Sequence, residues 1–339
     1  MRSLQAPVPG GLETLALLET AAPVATSHDV VVDVVAAGVN RADVLQRRGL
    51  YPPPPGAPRG LGLEISGVVR HMGSEVVGVE VGDEVCAVVS GGGCADQVAV
   101  PASMLLPVPA GVSLVDAAAL PEAALTAWTN LVDAGGLRAP DGSGRAAEVA
   151  PSRTQVVLVH GGSGGVGSFA IQLAAALGAR VLTTASGEER TARCRELGAD
   201  VAIDHRTADV VEEVRAATDG RGVDVVLDVL GAGALERNLR CLAPGGRLVV
   251  VGLQQGVRGE LDLGLLLRRR ATVTGSTLRS RPLEERAAIT AAVRRYVWPL
   301  VESGRVRPVV HDRLPLEDVA QAHRALEAGE VFGKVLLLP

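Results

Sequence analysis

The pattern of apolar and polar positions changes character part-way along this chain. Over residues 1–120 the apolar runs are short and dense in valine, at 29–36, 62–70, 84–89 and 95–100, with Ser90-Gly91-Gly92-Gly93 between the last two. Short runs with glycine punctuation predict strands and turns, no long helix, and a barrel-like all-β unit. Tyr51-Pro52-Pro53-Pro54-Pro55-Gly56 predicts an extended loop, since successive prolines exclude both helix and strand ladder. After Ser113 the pattern turns helical, over 116–120 and 122–132. Residues 136–153, rich in Gly, Pro, Ala and charge, predict a surface loop or insertion.

Apolar strand candidates then alternate with helical segments: 156–159, 180–184, 201–203, 223–229, 247–252 and 272–275. That alternation predicts βαβ units and a doubly wound parallel sheet. A long helix is expected over 284–302, closed near Gly304. Strands at 309–314 and 335–338, around a helix at 316–328, suggest that the chain returns to its first domain. No internal repeat is present.

One stretch organises the rest. Val156 to Val159 is an apolar, mostly β-branched strand, followed by His160-Gly161-Gly162-Ser163-Gly164-Gly165-Val166-Gly167 and an Ala/Leu-rich helix over 168–178. Gly162, Gly164 and Gly167 stand at the G-x-G-x-x-G positions. Strand, glycine turn and helix in that order suit a dinucleotide pyrophosphate, because the turn brings backbone close and the helix start presents N–H groups to the anion. His160, at the strand end, reads as a packed or backbone-bonded side chain rather than an acid–base group.

Composition narrows the remaining classes. The chain has 339 residues, 47% of them hydrophobic, enough for two domains with large cores. No apolar run is long enough to cross a bilayer, and no signal-peptide core follows Met1, so a cytoplasmic location is expected. A net charge of −5 and the isolation of Arg268-Arg269-Arg270 argue against nucleic acid as a partner. Of 33 lysines and arginines a single one is lysine, Lys334, which reads as compositional bias rather than function. Cys86, Cys94, Cys194 and Cys241 are scattered, without metal-ligand spacing, and read as small buried hydrophobes.

Nearly end to end, the sequence resembles the quinone oxidoreductases (zeta-crystallin type), a zinc-independent branch of the medium-chain dehydrogenase/reductases. The carriers are Gly38-Val39-Asn40-Arg41-Ala42-Asp43, Gly49-Leu50-Tyr51-Pro52-Pro53-Pro54, Gly62-Leu63-Glu64-Ile65-Ser66-Gly67, Leu120-Pro121-Glu122-Ala123-Ala124-Leu125-Thr126-Ala127-Trp128, the glycine turn, and Gly333-Lys334-Val335. The loop at 136–153 is longer than the family pattern. The resemblance implies a GroES-like β-barrel-type catalytic domain over 1–121 and 305–339, and a Rossmann NAD(P)-binding domain over 122–304. It also implies Asn40 and Tyr51 as catalytic groups near the nicotinamide, walling an acceptor cleft between the domains. Cofactor contacts would come from Gly162, Ser163, Gly164, Gly165, Val166, Gly167, Thr126, Gly252 and Lys334. Glu64 would build scaffold, with Glu122 either beside it or simply a helix-start acid. Relatives pair through the last sheet strand, so a homodimer is expected.

Zinc-dependent relatives carry cysteine where this chain has Asn40, histidine where it has Leu63, and a second cysteine near Glu122. Asn40 and Leu63 supply neither thiolate nor imidazole, so no metal is expected. Hydride transfer to a quinone or activated alkene demands less polarisation than reduction of a simple carbonyl. At the end of the second parallel strand Ala185 stands where NAD sites usually place an acid. Ser186 and Arg190 suit a 2′-phosphate instead, which points to NADPH, although Ser186-x-x-Glu189 also fits a capping box. Three functions remain open: an NADPH-dependent quinone oxidoreductase, an enoyl or enone reductase, and a non-catalytic NADPH-binding sensor.

Overall fold

The computed structural model describes residues 1–139 and 153–339. Most of the expected loop at 136–153 lies outside the described residues. The chain divides into two compact units, one of Met1–Ala123, Arg279–Glu302 and Pro308–Pro339, the other of Ala124–Leu278 and Ser303–Arg307.

In the second unit six strands form a wholly parallel sheet. The spatial order is Val201–Asp204, Arg180–Ala185, Val156–Val159, Val223–Asp228, Leu242–Val250, Thr272–Gly275. Numbered along the chain this is 3-2-1-4-5-6, the doubly wound dinucleotide order, with the glycine turn leaving the first strand at the point where the order reverses. Val157, Leu158, Val225, Val226 and Leu248 are fully buried, as strands covered on both faces require.

The first unit is built on a mostly antiparallel seven-stranded sheet. Its path runs Val310–Pro315, Lys334–Leu338, Asp29–Val39, Glu64–Met72, Glu84–Val88 and Leu105–Pro107, with Gln97–Pro101 also pairing to Asp29–Val39. The chain does return to its first unit through Lys334–Leu338, which runs antiparallel to the long valine-rich strand.

The unit boundary differs from the sequence expectation at 304, because Arg279–Glu302 packs with the first unit. Trp298 Nε1 donates to Pro107 O at 2.8 Å, and Val293 and Val297 are fully buried. The expected helix over 284–302 is two helices, Leu283–Tyr296 and Trp298–Glu302. Pro299 has no N–H to continue the first helix but suits the opening turn of the second. Likewise the helix expected over 122–132 ends at Trp128 and widens into a π-helical turn, Thr129–Ala134. There Asn130 Nδ2 donates to Thr126 O at 2.7 Å, a side-chain competitor for a ladder carbonyl.

Candidate active site

Strand register gathers one polar cluster in the first unit. Val39 pairs with Val335, and Ala37 with Ile65. Asn40, Glu64 and Lys334 therefore come to the same end of three neighbouring strands. Lys334 Nζ donates to Asn40 Oδ1 at 2.6 Å and makes an ion pair with Glu64 Oε1. Asn40 Nδ2 donates to the same Glu64 oxygen at 2.9 Å, while Glu64 Oε2 accepts from Glu122 N at 2.9 Å. Gly38 makes room for this: a Cβ there would sit 2.4 Å from Glu64 Oε1.

Asn40 also opens the short helix Arg41–Arg47. Its N–H is taken by Asp43 Oδ2 at 2.8 Å, and Asp43 Oδ1 accepts from Gly62 N at 2.9 Å. Burial raises the Asp43 carboxyl to about 6, against the pull of those backbone donors. Burial works to lower the Lys334 ammonium, but the carboxylates of Glu64, Glu122 and Asp43 outweigh it and hold the pKa above the ordinary lysine value. Lys334, expected beside the cofactor on the family resemblance, is a buried cation paired with Glu64 and Asn40.

Tyr51 leads into the proline loop, and Arg279 lies over its ring. Arg279 was not legible as a site residue. It is anchored by Ser90 O and Gln46 Oε1, 189 and 233 residues away along the chain.

The second unit carries the glycine turn. Added Cβ atoms at Gly162 and Gly167 would meet Thr183 Oγ1 at 2.2 Å and Gly161 O at 2.1 Å. Both glycines are demanded by the fold itself. Gly164 differs: its φ is −80°, and a Cβ would make only an ordinary 3.4 Å contact. The protein interior does not require that glycine, whereas close approach of a pyrophosphate does. Gly165–Ala176 forms the helix behind the turn, with Gly164 as an N-cap that contributes no side-chain bond. Backbone amides are the groups presented there. These residues fit a dinucleotide. Ser163, Gly165 and Val166 belong to the same turn and first helical residues, and Gly252 is required by the backbone at Val229, 2.6 Å from an added Cβ.

At the end of the second strand the capping-box alternative for Ser186 is overturned. Gly187 is the N-cap of Glu188–Glu196, without a side-chain bond, and Ser186 Oγ instead meets His205 Nε2 at 2.9 Å. Gly187 takes φ +84°, conformationally open to glycine, and Arg206 Nη2 lies 2.6 Å from where a Cβ would be. Arg190 Nη1 donates to Ser163 Oγ at 3.3 Å, tying it to the glycine turn. Ser186, His205 and Arg206 thus meet at the ends of the second and third strands, where Arg206 pairs with Asp204, while Arg190 reaches the glycine turn. His205 and Arg206 were missed because they follow the third strand, a position with no motif of its own.

His160 is fully buried, as expected of a structural residue. Nδ1 meets Thr184 Oγ1 at 3.0 Å and Nε2 meets Asn238 Oδ1 at 2.7 Å. Asn238 Oδ1 only accepts, so the ring carries its proton on Nε2. Among the described residues no three His, Cys, Asp or Glu side chains are grouped to hold a metal. Asn40 and Leu63 do not fit a catalytic zinc, and burial pushes the thiols of all four cysteines above the ordinary range, Cys194 to about 11.

Comparison with known proteins agrees with this architecture. Residues 26–110 match the alcohol dehydrogenase GroES-like domain and residues 165–294 the zinc-binding dehydrogenase domain. A quinone oxidoreductase of Lama guanicoe is 31% identical over 100% of this chain and 97% of its own length. The chain belongs to the quinone oxidoreductase family of medium-chain dehydrogenase/reductases. An Escherichia coli quinone oxidoreductase complexed with NADPH superposes with a TM-score of 0.86 at 29% identity, covering 100% of both chains. A further relative is a component of the phenolphthiocerol/phthiocerol polyketide synthase of Mycobacterium tuberculosis, 32% identical over 98% of this chain. This chain spans 14% of the length of that much larger protein. No helix among the described residues is long and apolar enough to cross a membrane.

Proposed function

We propose that this protein is an NADPH-dependent oxidoreductase that reduces a quinone without zinc. The observation that carries the reading is Gly164, a glycine in the dinucleotide turn that nothing inside the protein requires. NADPH is favoured over NADH by the guanidinium groups of Arg190 and Arg206 and the Ser186 hydroxyl near the strand ends, and by Ala185 in place of an acid. The family membership and the NADPH-bound relative support the same assignment.

In this reading the glycine turn, with Ser163, Gly165 and Val166, would hold the pyrophosphate, and Thr126 and Gly252 would contribute further cofactor contacts. Bound NADPH supplies the hydride. Tyr51 orients the acceptor and offers its hydroxyl hydrogen to the acceptor oxygen, where negative charge develops. Burial raises the Tyr51 pKa, with Arg279 opposing, so the phenol is a protonated donor at neutral pH. A quinone needs no stronger acid, because the accepting carbon is electron-poor and the charge is spread.

A second reading, reduction of an enone or enoyl acceptor, is supported by the match within a polyketide synthase. Fold alone does not choose between acceptors. Incubation with NADPH and a panel of quinones, enals and enoyl thioesters tests the assignment. Faster oxidation with quinones supports it, preference for the thioesters selects the second reading, and no oxidation with any acceptor leaves a non-catalytic binder.

A further inference from the structure

The chain's one lysine is also one of its most buried charged groups, at 4% exposure. A bias that has made arginine of every other basic side chain has spared the position where the two residues differ most in their demands. A guanidinium is a planar fork of five donors, whereas an ammonium is a compact charge with three. Glu64 Oε1 and Asn40 Oδ1 receive Nζ from one side, a geometry suited to a point charge. The preceding Gly333, at φ +88° with Val309 O 2.1 Å from any added Cβ, fixes how the chain enters this strand.

The ammonium decides which way the Asn40 carboxamide is turned. Nζ can only donate, so the Asn40 atom facing it must be oxygen. Nδ2 is then directed to Glu64 Oε1 at 2.9 Å and Gly38 O at 3.3 Å, which commits both amide hydrogens. A ligand group that meets the Asn40 carboxamide therefore meets an acceptor, Oδ1, and no uncommitted amide hydrogen.

We propose that Lys334 is a positioning residue that locks Asn40 as a hydrogen-bond acceptor, so that the ligand group Asn40 takes is a hydroxyl or an amide N–H. A nicotinamide nucleotide carries both, on its ribose and its carboxamide, and a quinone carries neither. Asn40 therefore serves the cofactor and Tyr51 the acceptor. This division of labour rests on the NADPH reading above and refines it.

The lone lysine makes the test direct. Protein made with isotopically labelled lysine has one side-chain ammonium signal to follow by NMR. The signal is expected to be protected from solvent exchange at neutral pH, to shift on addition of NADPH, and not to shift with 1,4-benzoquinone. In parallel, NADPH affinity is measured by fluorescence titration and quinone KM by steady-state kinetics. Asn40→Ala should weaken NADPH about tenfold, the value of one hydrogen bond, with quinone KM unchanged. Lys334→Met alone strands a buried Glu64 carboxylate, so the charge-neutral pair Lys334→Met with Glu64→Gln carries the same comparison. It should reproduce the loss of NADPH affinity while keeping the wild-type circular dichroism. A raised quinone KM at unchanged NADPH affinity, in either variant, overturns the proposal, as does a rapidly exchanging ammonium. Wild type that shows these NADPH responses yet reduces no quinone upholds the role of Lys334 and removes only the quinone reading. No NADPH binding at all overturns both.

Discussion

Arg279 stacks its guanidinium on the ring of Tyr51, with Cζ 5.5 Å from the ring centroid. The arginine is held from behind, Nε donating to Ser90 O at 2.8 Å and Nη1 to Gln46 Oε1 at 2.7 Å. The segment preceding the helix Leu283–Tyr296, the turn after Glu84–Val88 and the helix Arg41–Arg47 thereby converge on the one guanidinium that covers Tyr51. Removing the guanidinium loses a cation–π contact of about 0.5–2 kcal/mol and strands two acceptors. Arg279→Met should therefore lower stability by about 2 kcal/mol and raise quinone KM, with NADPH affinity unchanged. Urea titration and steady-state kinetics check both effects. Unchanged stability and KM would mean that ring and guanidinium are neighbours without energetic coupling.

Cofactor choice is tested at the strand ends. Arg190→Ala and Arg206→Ala should each weaken NADPH far more than NADH. Loss of one charge-assisted bond to a 2′-phosphate corresponds to about 1.5–3 kcal/mol, or roughly 10- to 150-fold. Arg206 already pairs with Asp204, whose carboxyl it holds down at about 2, so its effect should be the smaller of the two. Equal weakening of both cofactors in titrations would place these side chains away from the phosphate.

Stability should fall on acidification through buried histidine. Desolvation depresses His160 and His323 to about 4, whereas histidine in an unfolded chain titrates near 6.5. Below that pH the unfolded chain takes up protons that the native state refuses, so stability drops from about pH 6.5 down to about 4. Asp43 acts in the opposite sense. Its folded pKa is raised to about 6, so its contribution is greatest in acid and is lost as pH rises through 6. At pH 5 the histidines cost about 4 kcal/mol together and Asp43 offsets about 1. Urea unfolding should give a free energy about 2–3 kcal/mol lower at pH 5 than at pH 8, with a flatter profile for His323→Gln. A profile that rises towards acid would contradict this sign.

Much of the second unit was legible because fully buried parallel strands are continuous β-branched runs. Val156–Val159, buried throughout, was bounded to the residue, and so was Thr272–Gly275, although it is a partly exposed strand at the sheet margin. The Arg41–Arg47 helix was hidden: it is seven residues long, mostly polar, and depends on Asn40 and Asp43 bonding across its first turn. The hairpin of Arg2–Gln5 with Ala16–Glu19 was hidden for a similar reason, since its strands are four residues each and lack alternation. Within the site, Asn40 and Tyr51 were visible through family motifs. Lys334 was visible too, in Gly333-Lys334-Val335, but its pairing with Asn40 and Glu64, and the approach of Arg279 to Tyr51, arise only from strand register and long-range contact.

Assembly is a further expectation. Thr272–Gly275 forms one margin of the parallel sheet, and Leu253, Val257, Leu263 and Leu267, close by in sequence, are exposed. An open strand edge beside apolar side chains is a template for pairing, so a homodimer is expected in solution. Sedimentation at micromolar concentration should show it, and Leu263→Asp with Leu267→Asp should shift it to monomer. A wild-type monomer under these conditions would remove the proposal.

The most direct test of the central claim is single-turnover oxidation of NADPH by a 1,4-quinone, followed by stopped flow for wild type and Tyr51→Phe. The account predicts quinone-dependent oxidation by wild type. Tyr51→Phe should be slower by no more than about 100-fold, because the hydroxyl orients and hydrogen-bonds an acceptor that needs no strong acid. Complete loss of oxidation in Tyr51→Phe would make the phenol an obligatory proton donor, and no oxidation by wild type with any quinone would contradict the function itself.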